Sequence, residues 1–281
     1  MPSEKRFRAY KAGARLSRQR IEREAPLDAE ALERLTAADV LVVPGSYDHV
    51  ELVLDALGMP YTRVSPDQLA RLRLRPEQLL VVNCPGHLPR EAIARIRAFV
   101  EAGGSLFTTD WALRHVLEPA FPGIVAYNDR PTADTVVRIE VRDRSNPFLQ
   151  GVMEAEDDPV WWLEGSSYPI RILAPERVEV LLASGELAQR YGESPVAILF
   201  RHGRGEVFHM ISHYYLQRTE LRTARHAKPA SYYANEKKII LDAQSAAEMA
   251  DLNVGDVESA SSSARFLANV IAKKKQGKVT R

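Results

Sequence analysis

Three side chains in this sequence can move protons or attack a carbonyl, and each falls at the end of a strand-like run. Cys84 closes the apolar run Leu79-Leu-Val-Val-Asn-Cys84, Asp110 follows Ser105-Leu-Phe-Thr-Thr109, and His213 follows Glu206-Val-Phe-His-Met-Ile-Ser212. A thiol beside an imidazole makes a nucleophile with its base, and a carboxylate beside an imidazole makes an acid–base pair. A metal alternative would draw Asp110 together with His49, His87, His209 and His213, because imidazole and carboxylate suit zinc or iron. None of these histidines has the helical spacing of a ligand pair. His209 and His213, four apart along a strand and its exit, would stand about 13 Å apart. No metal is therefore expected. No cofactor is expected either, since Walker and dinucleotide glycine patterns are absent.

For these residues to converge, a parallel sheet must bring the strand ends together. Val40-Leu-Val-Val-Pro-Gly45 and Leu79 to Cys84 are continuous apolar runs broken by Pro and Gly, as strands buried on both faces are. Between them Val50, Leu52, Val53, Leu54 and Leu57 predict a helix closed by Gly58, and Tyr61 to Val64 a short strand. Another helix begins near Pro89, with Ile93, Ile96, Phe99 and Val100 on one face, and ends at Gly103-Gly104 before Ser105 to Thr109. Strands alternating with helices predict a doubly wound, mostly parallel α/β sheet with helices on both faces. In such sheets the functional crevice lies beyond the carboxyl ends of the strands. Those ends carry Tyr47, Cys84, His87, Asp110 and Trp111, with His213 joining them, and these six are the expected ligand-binding residues.

After Phe121-Pro122-Gly123 the pattern turns antiparallel. Thr135 to Val141 alternates like a half-exposed strand, Asn146-Pro147 opens a short helix, and Trp161-Trp162 leads into an extended stretch. Val178 to Ala183 and Val196 to Phe200 are predicted strands, and Arg201-His-Gly-Arg-Gly205 a hairpin turn. This half is expected to extend the same sheet. Trp111, Trp161, Trp162 and Tyr168 offer faces for a sugar, base or peptide, a role they share with ordinary packing. Arg201 and Arg204 flank a glycine where a phosphate could rest. From Tyr214 to Ser263 the text is polar, with Ser259 to Ser263 reading as a loop before a terminal helix from Ala264 to Ile271.

The net charge of +1 hides an uneven distribution. Residues 1–24 hold eight Lys/Arg against three Asp/Glu, and residues 273–281 five against none, so the body between them is acidic. Such ends can touch an anionic surface or the acidic body of another copy, or merely be solvated. The first segment, Glu4 to Ala25, is helix-compatible with few apolar positions to dock it, and Asp28 is placed to cap a short helix through Leu35. The expected organisation is a basic helical arm (1–37), a central domain (38–217) and a polar extension with a terminal helix and Lys-rich tail (218–281). No apolar run approaches the roughly 18 residues that span a bilayer, and the charged N-terminus does not read as a secretory signal, so a cytoplasmic location is expected. The lone Cys84 excludes an internal disulfide.

The order of strand, Pro44-Gly45, strand, Asn83-Cys84-Pro85-Gly86, helix, Gly103-Gly104, strand, elbow, and finally Gly203-Arg-Gly-Glu-Val-Phe208 with His213 resembles the class I glutamine amidotransferase-like superfamily, nearest its trehalose-utilisation-type and uncharacterised branches. The resemblance covers roughly residues 38–217 and implies a flavodoxin-like fold. It also implies a cysteine on a strained Gly-x-Cys-x-Gly turn, served by a histidine near the end of the sheet. This sequence has Thr108-Thr109-Asp110-Trp111-Ala112 at that turn, and Tyr214-Tyr215 after His213 where the family carries Pro-Glu. The amidotransferase reaction therefore lacks its nucleophile. The expectation is a non-catalytic binding or assembly module, engaging a protein partner, another copy or a small ligand, with nucleic acid not expected. The alternative is a hydrolase or lyase using Asp110 with His213 or Cys84.

Overall fold

The computed structural model describes residues 4–214 and 220–277 of the 281-residue chain. Its strands are β1 (Val40–Val43), β2 (Thr62–Arg63), β3 (Leu79–Val82), β4 (Ser105–Thr109), β5 (Val125–Tyr127), β6 (Thr135–Arg138), β7 (Glu140–Val141), β8 (Val160–Leu163), β9 (Ile170–Ile172), β10 (Val178–Ala183), β11 (Pro195–His202) and β12 (Gly205–Met210). The α-helices are α1 (Glu4–Glu24), α2 (Pro26–Glu33), α3 (Val50–Leu57), α4 (Pro66–Leu69), α5 (Arg90–Glu101), α6 (Glu118–Ala120), α7 (Gly185–Tyr191), α8 (Ala230–Glu236), α9 (Ala243–Glu248) and α10 (Val254–Lys275). A π-helical turn, Leu113–Leu117, follows β4.

Eight strands make one sheet in the order β2-β1-β3-β4-β12-β11-β10-β7. From β2 to β12 the neighbours pair in parallel, and from β12 to β7 they pair antiparallel. The expected α/β architecture is present, flanked by helices, with the antiparallel half extending the same sheet. β1 and β3 are apolar and buried at every position, as strands covered on both faces must be. Gly58 closes α3 in the left-handed conformation (φ 67°), which a residue without Cβ adopts at little cost. Thr135 to Val141, expected as one strand, divides: β6 pairs with β8 in a separate two-stranded sheet, while β7 joins the main sheet edge. Asn146-Pro147 opens turns rather than a helix.

The terminal segments depart most from expectation. α1 is firmly docked, burying Tyr10, Ala14, Leu16 and Ile21 and also the small Gly13, where a Cβ would come within 2.6 Å of the Ala260 Cβ. Its partner is α10, which starts at Val254 and carries Ser259 to Ser263 inside the helix, all buried. Ala260 and the Ser261 backbone meet Gly13 where the two helices approach, while Ser259 Oγ accepts from Val160 N–H of β8, so the polar character of the segment misled the loop reading. Phe266 of α10 packs against Phe107 and Phe208 of the sheet. Asp28 is not a cap: α2 begins at Pro26, and Asp28 accepts hydrogen bonds from Lys273 Nζ at 2.6 and 2.8 Å.

The basic ends are largely engaged within the chain. Lys5 pairs with Asp256, Arg8 with Asp251 and Arg15 with Glu248, while Lys275 reaches Asp39. Arg20, buried, is held by Glu24 and Glu154. The acidic body that balances these charges is therefore this chain's own surface. Residues 278–281 of the Lys-rich tail, and the domain boundary expected at 217, lie outside the described residues.

Candidate functional site

β1, β3, β4 and β12 lie near one another in the sheet and end on one edge, and the turns that follow them build the site. After β1, Ser46 and Tyr47 donate backbone N–H to the Cys84 carbonyl, tying the first loop to the second. Asn83 fixes the same junction, accepting from Val50 N–H at 3.2 Å and donating to Glu51 at 2.8 Å. The Cys84 N–H donates to Thr109 Oγ1 at 3.1 Å, joining β3 to β4. At the ends of β4 and β12, Asp110 (φ 44°) and Ser212 (φ 64°) are both left-handed without being glycine. That conformation costs each about 1 kcal/mol or more, and it is held because Asp110 N–H bonds to Met210 O across the strand pair.

The result is convergence. One donor atom each from Cys84, Asp110 and His213 lie within 4.8 Å of one another. His213 Nε2 stands 3.5 Å from Asp110 Oδ2, and its Nδ1 bonds the carboxylate of Glu164. Glu164 is itself placed by its N–H bonding to Ser212 Oγ at 2.9 Å, and Asp110 Oδ1 accepts from Tyr168 N–H at 2.8 Å. Asp48, fully buried, accepts from Tyr214 N–H at 2.8 Å. Glu164 and Asp48 were not among the residues expected from sequence. Glu164 lies on an irregular stretch after β8, and nothing local marks it; Asp48 follows the Pro44-Gly45 break and was legible only as part of that loop.

Burial sets the protonation states. Loss of solvent pushes the Asp110 carboxyl up to about 6, against the pull of His213 and of the Tyr168 and Ser212 N–H groups. Burial alone would lower His213, but hydrogen bonds with Cys84 and Glu164 and the charges of Asp48 and Asp110 overcome it and raise His213 to about 11. The asymmetry has a cause: His213 collects several acidic neighbours, whereas Asp110 has one cation at the edge of contact and bears full desolvation. Burial also raises the Cys84 thiol, with His213 only partly offsetting it. At neutral pH the cluster is thus an imidazolium among carboxylates beside a protonated thiol. Solvent barely reaches its centre, where Cys84 is 0% and Asp110 2% exposed, while Glu164 at its margin is half-open.

Above this cluster runs an aromatic rim. Tyr47, 54% exposed, lies nearly parallel to the His213 ring at 6.4 Å and edge-on to Trp111 at 5.3 Å. Trp111 stacks on Tyr168 at 5.4 Å, and Tyr168 on Tyr127 at 3.8 Å. Trp111 is oriented by Nε1–H donating to Ser166 O at 2.7 Å.

Of the six residues expected to line the crevice, the structure brings Tyr47, Cys84, Asp110, Trp111 and His213 together. His87 instead faces His115, with Nε2 atoms 3.3 Å apart. The histidines of the metal alternative are dispersed: His49 lies beside Glu51, and His209 is buried against Thr108 Oγ1 at 2.8 Å, held neutral with its pKa near 3 by burial. The Trp161 indole donates into the core, to Ile211 O. Arg201 pairs with Glu206 and Arg204 donates to Ala102 O, so both hairpin arginines have partners within the fold.

No helix among the described residues is long and apolar enough to cross a membrane. No protein-family model matches the sequence, and no curated protein matches it. Among solved structures, similarity is found to an exo-β-1,4-mannosidase from Opitutaceae bacterium strain TAV5, at 15% identity and TM-score 0.44 over 75% of this chain and 34% of that one. This chain thus spans about a third of the mannosidase's length. Similarity is also found to a protein described as a GMP synthase component from Thermoplasma acidophilum, at 13% identity and TM-score 0.43 over 61% and 81% of the two chains. A ThuA-like protein from Bacteroides uniformis matches at 12% identity and TM-score 0.43 over 63% and 82%. Likenesses at these scores carry no assignment, and the functional reading rests on the site's own geometry.

Proposed function

We propose that this chain is a non-catalytic binding module on an amidotransferase-like scaffold, presenting the rim of Tyr47, Trp111 and Tyr168 to a ring-bearing small ligand or to a partner's side chains. One observation carries the reading: the Cys84 thiol and the Asp110 carboxyl are buried while Tyr47 beside them is exposed. A thiol with no exposed surface and a raised pKa is a poor nucleophile. An imidazole that keeps its proton to about 11 has no lone pair with which to act as a base near neutrality. In this reading His213 and its carboxylates hold the loops of the edge in register, and the aromatic faces supply contact area.

The test is a titration of the chain with neutral sugars, nucleosides and aromatic amino acids, followed by intrinsic fluorescence. Tyr47→Ala and Trp111→Phe should weaken whatever binding is found by about tenfold, while Asp110→Asn keeps it. Binding that survives at the rim variants and disappears in Asp110→Asn would move recognition to the buried cluster.

A second reading is favoured by the convergence of Cys84, Asp110 and His213 and by the left-handed Asp110, a combination that serves hydrolase centres. Here Glu164 would orient His213, and Cys84 or Asp110 would act once the cluster opens. Turnover of activated esters or amides that vanishes in both Asp110→Ala and His213→Ala would establish this reading over the first.

A further inference from the structure

We infer that His87 and His115 form a binding site for a borderline divalent cation of the zinc type, on the same sheet edge as the buried cluster but separate from it. At a zinc–nitrogen distance of about 2.1 Å, two nitrogens 3.3 Å apart subtend roughly 105° at the ion, close to the tetrahedral angle.

A hydrogen bond between the two rings explains the contact less well. A collinear N–H···N bond at this separation would hold the ring centroids roughly 5.5 Å apart. The centroids are 4.4 Å apart with the rings at 76°, so at least one nitrogen points well away from the line joining them. Lone pairs converging on a shared ion would place the centroids at roughly 5 Å, so a slight opening of the two rings would seat one.

The fold has a specific means of holding the pair. His87 follows Gly86, whose left-handed backbone (φ 74°) presses against the helix that bears His115. A Cβ at Gly86 would lie 2.9 Å from Ala112 Cβ and 3.0 Å from Val116 Cγ2, so only glycine permits the approach. His115 itself sits in the π-helical turn, a widened turn that shifts side chains from their α-helical positions and recurs at functional sites. The adjacent Arg114 charge is shared with Asp129 at 3.1 Å. With two protein ligands, the remaining positions on the ion would go to water or to a ligand's own oxygen or nitrogen atoms.

Zinc titration of the full chain against a chromophoric zinc indicator tests this. One equivalent should bind, and His87→Ala and His115→Ala should each weaken binding by at least about tenfold. Both residues lie at the surface, and the circular dichroism of each variant confirms its fold. Cys84→Ala is the discriminating variant, because Cys84, Asp110 and His213 are a second group of possible ligands. It should leave zinc affinity unchanged. Cobalt in place of zinc should give a spectrum without a thiolate charge-transfer band. Loss of binding in Cys84→Ala, a thiolate band, or unaltered affinity in both histidine variants would each overturn the inference. The outcome is independent of what the aromatic rim binds.

Discussion

Replacing Asp110 by Asn tests the electrostatic account of the buried cluster most directly. The carboxyl rises from an ordinary 3.8 to about 6 because it is buried. An acid whose folded pKa is raised favours the fold fully below its unfolded pKa and loses that contribution as pH rises through the folded value. Once ionised in both states, Asp110 costs the folded chain about 3 kcal/mol relative to its protonated form. Near pH 4.5, where the folded carboxyl is still protonated, the same linkage gives only about 1 kcal/mol. Asn keeps the oxygen that accepts from Tyr168 N–H but has no proton to lose. The stability of Asp110→Asn relative to the parent should therefore grow by about 2 kcal/mol between about pH 4.5 and pH 7.5. His209, held neutral, and His213, held charged, also make stability depend on pH. Both keep their protonation state in the variant, so they drop out of the difference. Guanidinium unfolding of both proteins at the two pH values measures it. A gap that stays constant with pH, or widens toward acid, would show that Asp110 is not destabilised by its surroundings.

Further outcomes follow from packing and access. Cys84 should react with a neutral maleimide about a hundredfold more slowly in the native chain than in denaturant, and rapid native labelling would contradict its sealed position. Gly13→Leu should cost about 3 kcal/mol or more, read as a lowered melting temperature, because the new side chain meets Ala260 Cβ and Ser261 N within 2.7 Å; unchanged melting would mean that α1 and α10 separate easily. Tyr47→Ala should leave thermal stability within about 0.5 kcal/mol of the parent, as expected for a half-exposed rim residue, and a larger loss would assign Tyr47 to the fold.

The central sheet was legible in the sequence because its strands are buried on both faces and stop at Pro or Gly, a pattern that few other structures produce. The ends of those strands named most of the site for the same reason: a parallel sheet leaves Cys84 and Asp110 little choice of position. Glu164 was invisible because its role depends on a contact 49 residues away in sequence, with His213. The terminal helices were misjudged from composition. Ser259 to Ser263 read as a loop because serine favours turns when nothing covers it, whereas in the structure the segment is buried helix and its Ala260 lets α1 come close at Gly13. Arg-rich α1 suggested a solvated arm, and the partners of Lys5, Arg8 and Arg15, namely Asp256, Asp251 and Glu248, come more than two hundred residues later.

The pairing of α1 with α10 also sets an order of assembly. Its contacts join residues such as Gly13 and Ala260, and closing a loop of that size must precede any gain from the pairing. During synthesis α1 emerges long before α10, and the part of its apolar face that includes Ala9, Ala12 and Leu16 stays uncovered until residues 230–257 have been made. Completion of this fold is therefore a late, chain-wide event, and until then the nascent protein displays Leu16 to its surroundings.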